Sequence, residues 1–139
     1  MSKLRPDVTI ARLHERQRGR LPDLLGFRAV ALDAGLLRAE LDVRDDLLAP
    51  NGFLHAATVI ALADTACGYA CFAHLPPNAK NFTTVELKSN FVGTARSGTL
   101  SAVATGVHLG RSTQVWDATV NGPDGDTIAL FRCTQMVLY

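Results

Sequence analysis

The stretch from Ala56 to Ala73 reads AATVIALADTACGYACFA, and its only charged residue is Asp64. It is too long for one strand and is filled with helix formers, which predicts a single helix over about His55 to Ala73. A helix that is apolar all round is expected to be buried all round. A carboxylate in that setting must be paired, hydrogen-bonded or protonated, because burying it bare is costly. Structure has little use for such an acid, and chemistry has. The run also reaches the lower limit for a bilayer span, roughly 18 residues. It is rich in Ala and Thr rather than Leu, and a central acid opposes insertion. A core helix is therefore expected, and no membrane.

The chain has 139 residues, enough for one domain with a real core. Residues 1–24 read as an N-terminal helical segment, and residues 25–139 as the core. Formal net charge is +1 and the pI is near 7.8, which gives no sign of a nucleic-acid partner. Arg12, Arg16, Arg18 and Arg20 cluster, but Glu15 interrupts them, as on a solvated helical face. No apolar stretch follows Lys3 and Arg5, so no export signal is expected, and the expected compartment is the cytoplasm. Cys67, Cys71 and Cys133 then read as free thiols. Cys67, Cys71 and His74 fall near one helical face. Their neighbours Gly68, Ala70 and Phe72 favour core packing over a zinc site.

Around the central helix the pattern is mostly strands. Residues 8–19 suggest a short amphipathic helix with Val8, Ile10, Ala11 and Leu13 inward, which Leu21-Pro22-Asp23 is expected to break. Phe27–Leu32 and Leu37–Val43 follow as strands. In the second, Leu37, Ala39, Leu41 and Val43 share one face opposite charged residues. After the helix come four more strand-like stretches: 82–91, 100–109, 112–120 and 127–137. Gly98, Gly110 and the Asn121–Gly125 cluster separate them. Short connections argue for antiparallel neighbours. The expected fold is α+β: an antiparallel sheet of about six strands curled around one long helix, plus a short N-terminal helix.

With LLAPNGFLHAATVIALADTACGYA at its centre, this pattern resembles the hot-dog-fold thioesterases of the phenylacetate-pathway (PaaI-like) type. The likeness rests on Asn51, Gly52, His55, Leu62-Ala63-Asp64 and Ala66-x-Gly68-x-Ala70. It continues through Thr83-Thr84-Val85-Glu86-Leu87, Gly98, Gly110-Arg111 and Gly125. The family's His-Gly-Gly is here His55-Ala56-Ala57; the backbone donor survives, with an added methyl beside it. The resemblance implies acyl-CoA hydrolysis, with coenzyme A as part of the substrate and no separate cofactor. It implies Arg111, at a Gly-Arg turn with Gly110, and Arg96 as holders of the CoA phosphates.

The residues themselves suggest roles. A helix N-terminus offers unpaired N–H groups and partial positive charge, so the Ala56 N–H is a candidate oxyanion donor. Asp64 is a candidate nucleophile or general base. Asn51 would hold water or the carbonyl, His55 would shape the helix start, and a hydroxyl of Thr84 or Thr83 would orient the acid. Phe53, Leu54, Phe72 and Phe82 are candidate walls of the acyl pocket. Eight residues of helix put Ala56 and Asp64 about 12 Å apart, too far for one carbonyl to touch both. They must come from two subunits, so a homodimer with shared sites is expected. The resemblance to hot-dog proteins implies obligate dimers with the site at the interface, and a dimer of dimers as the full assembly. Two other readings share the fold: a hydratase or dehydratase of acyl thioesters using His55 with Asp64, and a protein that binds acyl-CoA or an acyl carrier without turnover.

Overall fold

A computed structural model describes residues 3–139. Two helices open it, α1 (Ile10–Gln17) and α2 (Leu21–Leu25), followed by strands β1 (Arg28–Asp33) and β2 (Leu36–Asp42). A 3-10 turn at Asp45–Leu47 leads to the long helix α3 (Ala56–Ala73). Strands β3 (Asn81–Phe91), β4 (Thr99–Leu109), β5 (Thr113–Asn121) and β6 (Thr127–Leu138) complete the chain. All six strands form one antiparallel sheet in the order β1-β2-β4-β5-β6-β3. This is the expected hot-dog arrangement.

Alternation explains why the sheet curls onto α3. In β2, Leu37, Ala39 and Leu41 are fully buried, and in β5 Gln114, Trp116, Ala118 and Val120 point the same way. They meet Leu62, Ala63, Ala66, Cys67 and Ala70 of the helix, all without exposure. The far end of α3 is tied by a buried imidazole. His74 donates from Nδ1 to the Ala70 carbonyl (2.7 Å) and accepts the Gly35 N–H at Nε2 (2.8 Å). Burial lowers its pKa, which suits the neutral ring these two bonds require. With both ring nitrogens committed, His74 is a strut between the helix and the β1–β2 turn.

Several expectations at the N-terminus need correction. The first helix is shorter, capped at Thr9, whose side chain accepts the Arg12 N–H, and Ala11 is exposed. Leu21-Pro22-Asp23 does not simply break the chain. It starts α2, because proline in a first helical turn gives up no intrahelical bond.

The larger correction concerns α3. It passes by length and composition for a membrane span, but 61% of it is buried inside the protein. Burial is not complete, however. Ala57 is exposed, and Ile60, Ala61, Asp64 and Thr65 are partly so, which leaves one stripe uncovered. Beside it lies edge strand β3, which pairs only with β6. Leu87 and Phe91 sit opposite the core residues Cys133 and Ala129, yet are themselves 38% and 45% exposed. The helix does not reach over them, so the chain has an open apolar face along α3 and β3.

Leu62 fills the space between helix and sheet at 0% exposure. Leu62→Ala is expected to destabilise the fold by about 2–5 kcal/mol, read from the urea unfolding midpoint, because the rigid sheet cannot collapse into the void.

Candidate active site

The turn leading into α3 accounts for nearly every backbone donor it has. Gly52 N–H goes to the Ala49 carbonyl (2.8 Å), Phe53 N–H to Asn51 Oδ1 (3.1 Å) and Leu54 N–H to Thr94 Oγ1 (3.3 Å). His55 N–H reaches the Leu47 carbonyl (3.3 Å), and His55 Nδ1 accepts the Ala57 N–H (2.9 Å) as the helix cap. Thr58 and Val59 N–H groups both donate to the His55 carbonyl. The Ala56 N–H alone in this run has no partner among the described residues. It sits at an exposed helix start, where the dipole favours negative charge.

Asp64 lies two turns further along the open stripe. Its Oδ1 is buried and has no hydrogen-bond partner among the described residues. Desolvation raises its pKa above the ordinary 3.8. A carboxylate held like this is a stronger base than one in water. Ser89 Oγ is likewise buried without a partner, on the helix-facing side of β3 opposite Phe131.

The other candidates divide. Asn51 spends its side-chain oxygen on the turn, and His55 spends Nδ1 on the cap, so both shape the helix start. Thr84 faces inward opposite Gln135 and donates to Gln135 Oε1 (2.9 Å), with no hydrogen bond to Asp64. Thr83, one residue earlier, points to the opposite side of the sheet opposite Met136. Phe82 packs close over Gly68, where a Cβ would come within 3.3 Å of its ring. Phe53 is 44% exposed with the Arg96 guanidinium 4.7 Å above its ring, whereas Leu54 is buried. Phe72 is buried too, with Arg16 stacked 4.0 Å from it, so it belongs to the core beneath α1.

Gly110 must be glycine, since a Cβ there would lie 2.5 Å from His108 Nε2 and 2.9 Å from the Thr113 carbonyl. The adjoining Arg111 carbonyl accepts the Tyr139 hydroxyl (2.8 Å). That places the turn beside the C-terminus and the start of β3, since Lys80 N–H bonds the Leu138 carbonyl. The helix start, held by Thr94, is at the other end of β3. Eleven residues of strand span roughly 35 Å, so Arg111 and Ala56 of one chain lie far apart. Thr94, Gln135 and Ser89 are site neighbours that sequence reasoning missed. No local signal marks them: the partners of Thr94 and Gln135 lie far along the chain, and Ser89 is one of several polar residues in β3.

The cysteines are core residues without exposure, out of reach of a substrate. The hydrogen bond to Cys133 and burial hold the Cys67 thiol well above the usual range and burial pushes Cys71 up to about 12, whereas the bond with Cys67 lowers Cys133.

The raised pKa of Asp64 gives a signed stability prediction. The folded chain holds a proton there more tightly than the unfolded chain, so the charged acid weakens the fold at neutral pH. Below the unfolded value, about 3.8, both states are protonated and the penalty vanishes. Asp64→Asn is therefore expected to unfold at higher urea than wild type at pH 7.5, with the two midpoints converging as the pH falls below 4.

Comparison with known proteins agrees with this fold. Residues 51–129, the helix start through most of the sheet, match the Thioesterase superfamily model. A glutamine-to-alanine mutant of thioesterase PA1618 from Pseudomonas aeruginosa superposes with a TM-score of 0.91 at 32% identity, covering 97% of each chain. The 1,4-dihydroxy-2-naphthoyl-CoA hydrolase of Listeria monocytogenes is 26% identical over 117 residues, 84% of this chain and 94% of that one. The Escherichia coli PaaI protein of the phenylacetic acid degradation operon shares the fold at 23% identity, with a TM-score of 0.82 over 94% of this chain and 97% of that one. By the family match across more than half its length and by a 32% identical relative spanning 99% of it, the chain belongs to the thioesterase superfamily.

Proposed function

We propose that this thioesterase-superfamily hydrolase cleaves the thioester of small aryl- or medium-chain acyl-CoA in the cytoplasm, with Asp64 as its acid. The observation that carries the reading is Asp64, half-buried on the uncovered stripe of α3, with its Oδ1 buried and without a hydrogen-bond partner among the described residues. A structural acid would be satisfied. This one waits for a partner from outside the chain.

In this scheme the thioester carbonyl accepts the Ala56 N–H, which strengthens its hold as the oxygen becomes an oxyanion. Asp64 attacks the carbonyl carbon, or takes a proton from a water that does so. On the nucleophilic route the C–S bond breaks as CoA thiolate leaves an Asp64–acyl anhydride, which water then hydrolyses to restore the carboxylate. On the base route the water oxygen bonds the carbonyl carbon and the C–S bond breaks directly. Either way CoA takes up a proton and the acyl group departs as a carboxylic acid. An aryl preference is supported by the Listeria relative, named for a naphthoyl-CoA. It is also supported by Phe53, Phe82, Leu87 and Phe91 around the open face. His55 caps its own helix and lies about 13 Å along it from Asp64, which argues against a His–Asp pair for hydration within one chain.

The proposal includes a homodimer. Ala56 and Asp64 are two turns apart on one helix and serve one carbonyl only when two chains meet. The unpaired edge of β3 and the open stripe of α3 form one surface for a second copy. Antiparallel pairing of two β3 edges would bring the partner's Gly-Arg turn toward this chain's helix start, where it can hold CoA phosphates. Leu130, Met136 and Leu138, exposed on the outer face of the sheet, favour a further association of two such dimers.

The direct test is CoA thiol release from a panel running from acetyl- to decanoyl-CoA and including benzoyl-, phenylacetyl- and hydroxylated aryl esters. Wild type is expected to hydrolyse some of these, and Asp64→Asn to be slower by at least a hundredfold. A folded protein that binds CoA and hydrolyses none would overturn the assignment in favour of a binding protein. Leu87→Lys is expected to yield monomers in sedimentation velocity and to abolish hydrolysis with them. An active monomer would refute the shared site.

A further inference from the structure

We infer that Thr94 is a positioning residue for the oxyanion donor: from the loop after β3 it fixes the turn that aims the Ala56 N–H. The inference rests on the reading of Ala56 as that donor. Of the eight N–H groups from Gly52 to Val59, seven are committed. Six of those seven bonds end on residues 47–55, within the same local segment. Only the Leu54 N–H reaches a distant element, accepted by Thr94 Oγ1 forty residues along the chain.

The loop that carries Thr94 is itself anchored at both ends. Val92 and Gly93 N–H groups both donate to the Ile128 carbonyl on β6, and the Gly98 carbonyl accepts the Val43 N–H just past β2. Gly93 sits so tightly that a Cβ would lie 2.6 Å from the Thr127 carbonyl. Thr94 therefore transfers the rigidity of the sheet to a turn that otherwise holds only itself. Arg96, over the Phe53 ring, closes the same contact from outside. An oxyanion donor acts through placement, and a shift below 1 Å is enough to lose much of its effect. Without the hydroxyl, the part-buried Leu54 N–H loses its one fixed acceptor, and the turn is free to shift toward another acceptor or water.

The test compares Thr94→Val, which keeps shape but removes the acceptor, with Thr94→Ser, which keeps it. Steady-state hydrolysis is read on the best substrate of the panel, and amide exchange by NMR. Thr94→Val is expected to lose at least tenfold in kcat with KM within threefold, while Thr94→Ser stays within threefold of wild type. In wild type the Leu54 amide is expected to exchange as slowly as helix amides, and in Thr94→Val it speeds up. Wild-type kcat in Thr94→Val, an equal loss in Thr94→Ser, or a rapidly exchanging Leu54 amide in wild type would each overturn the inference. The amide arm needs no variant that folds. A wild type inert on every ester would instead overturn the hydrolase reading, and the amides would still decide whether Thr94 holds the turn.

Discussion

A single six-stranded sheet covers one side of an apolar helix, and this helix is apolar on all sides. The rest of the molecule follows from that mismatch. Strands β2, β4, β5 and β6 use their alternate residues to bury one flank of α3, and the N-terminal segment shelters another through the Phe27–Tyr69 edge contact and the Tyr69–Gln17 hydrogen bond. The flank beside β3 has nothing over it. Apolar surface left in this way is worth roughly 25 cal/mol per Å² to whatever covers it. The acid that makes α3 chemically interesting stands in that uncovered strip.

The site is built mainly by backbone accounting. A helix start ordinarily leaves several donors for water. Here a histidine cap, an asparagine turn, a threonine from a remote loop and the carbonyls of Leu47, Ala49 and His55 absorb all but one. The result is a single directed dipole rather than a diffuse positive end. Asp64 achieves the opposite effect by having no partner at all. One group is defined by what its neighbours have taken up, the other by what they have withheld.

Much of this was legible in the chain. The strands could be read because hydrophobic residues alternate, and β2 did so without exception from Leu37 to Leu41. Asp64 was legible because a charge amid Ala, Leu and Cys breaks the local rule. The run Leu21-Pro22-Asp23 was misread, because the same proline that breaks a helix interior is accepted in a first turn. Ala11 was placed inward, but Ala carries too little apolar weight to decide which way a short helix rolls. Full burial of α3 was inferred from composition, whereas burial depends on how many surfaces are present to supply it. Thr94 and Gln135 could not be seen at all. Their partners, Leu54 and Thr84, are 40 and 51 residues away; the second pairing arises from the register of β3 on β6, the first from where the loop after β3 meets the turn before α3.

The bare edge of β3 also creates a hazard. An eleven-residue strand with one edge unpaired is a template for any extended peptide, and fibrils grow on such templates. The strand carries its own deterrents: Glu86 and Lys88, two residues apart on one face, and a register shift between Thr84 and Glu86 that breaks the flat repeat. A foreign strand would have to bury those charges and match that irregularity. The feature that leaves the edge open to recognition thus also makes it a poor seed for aggregation, and substitutions that neutralise both charges would be the first to compromise solubility.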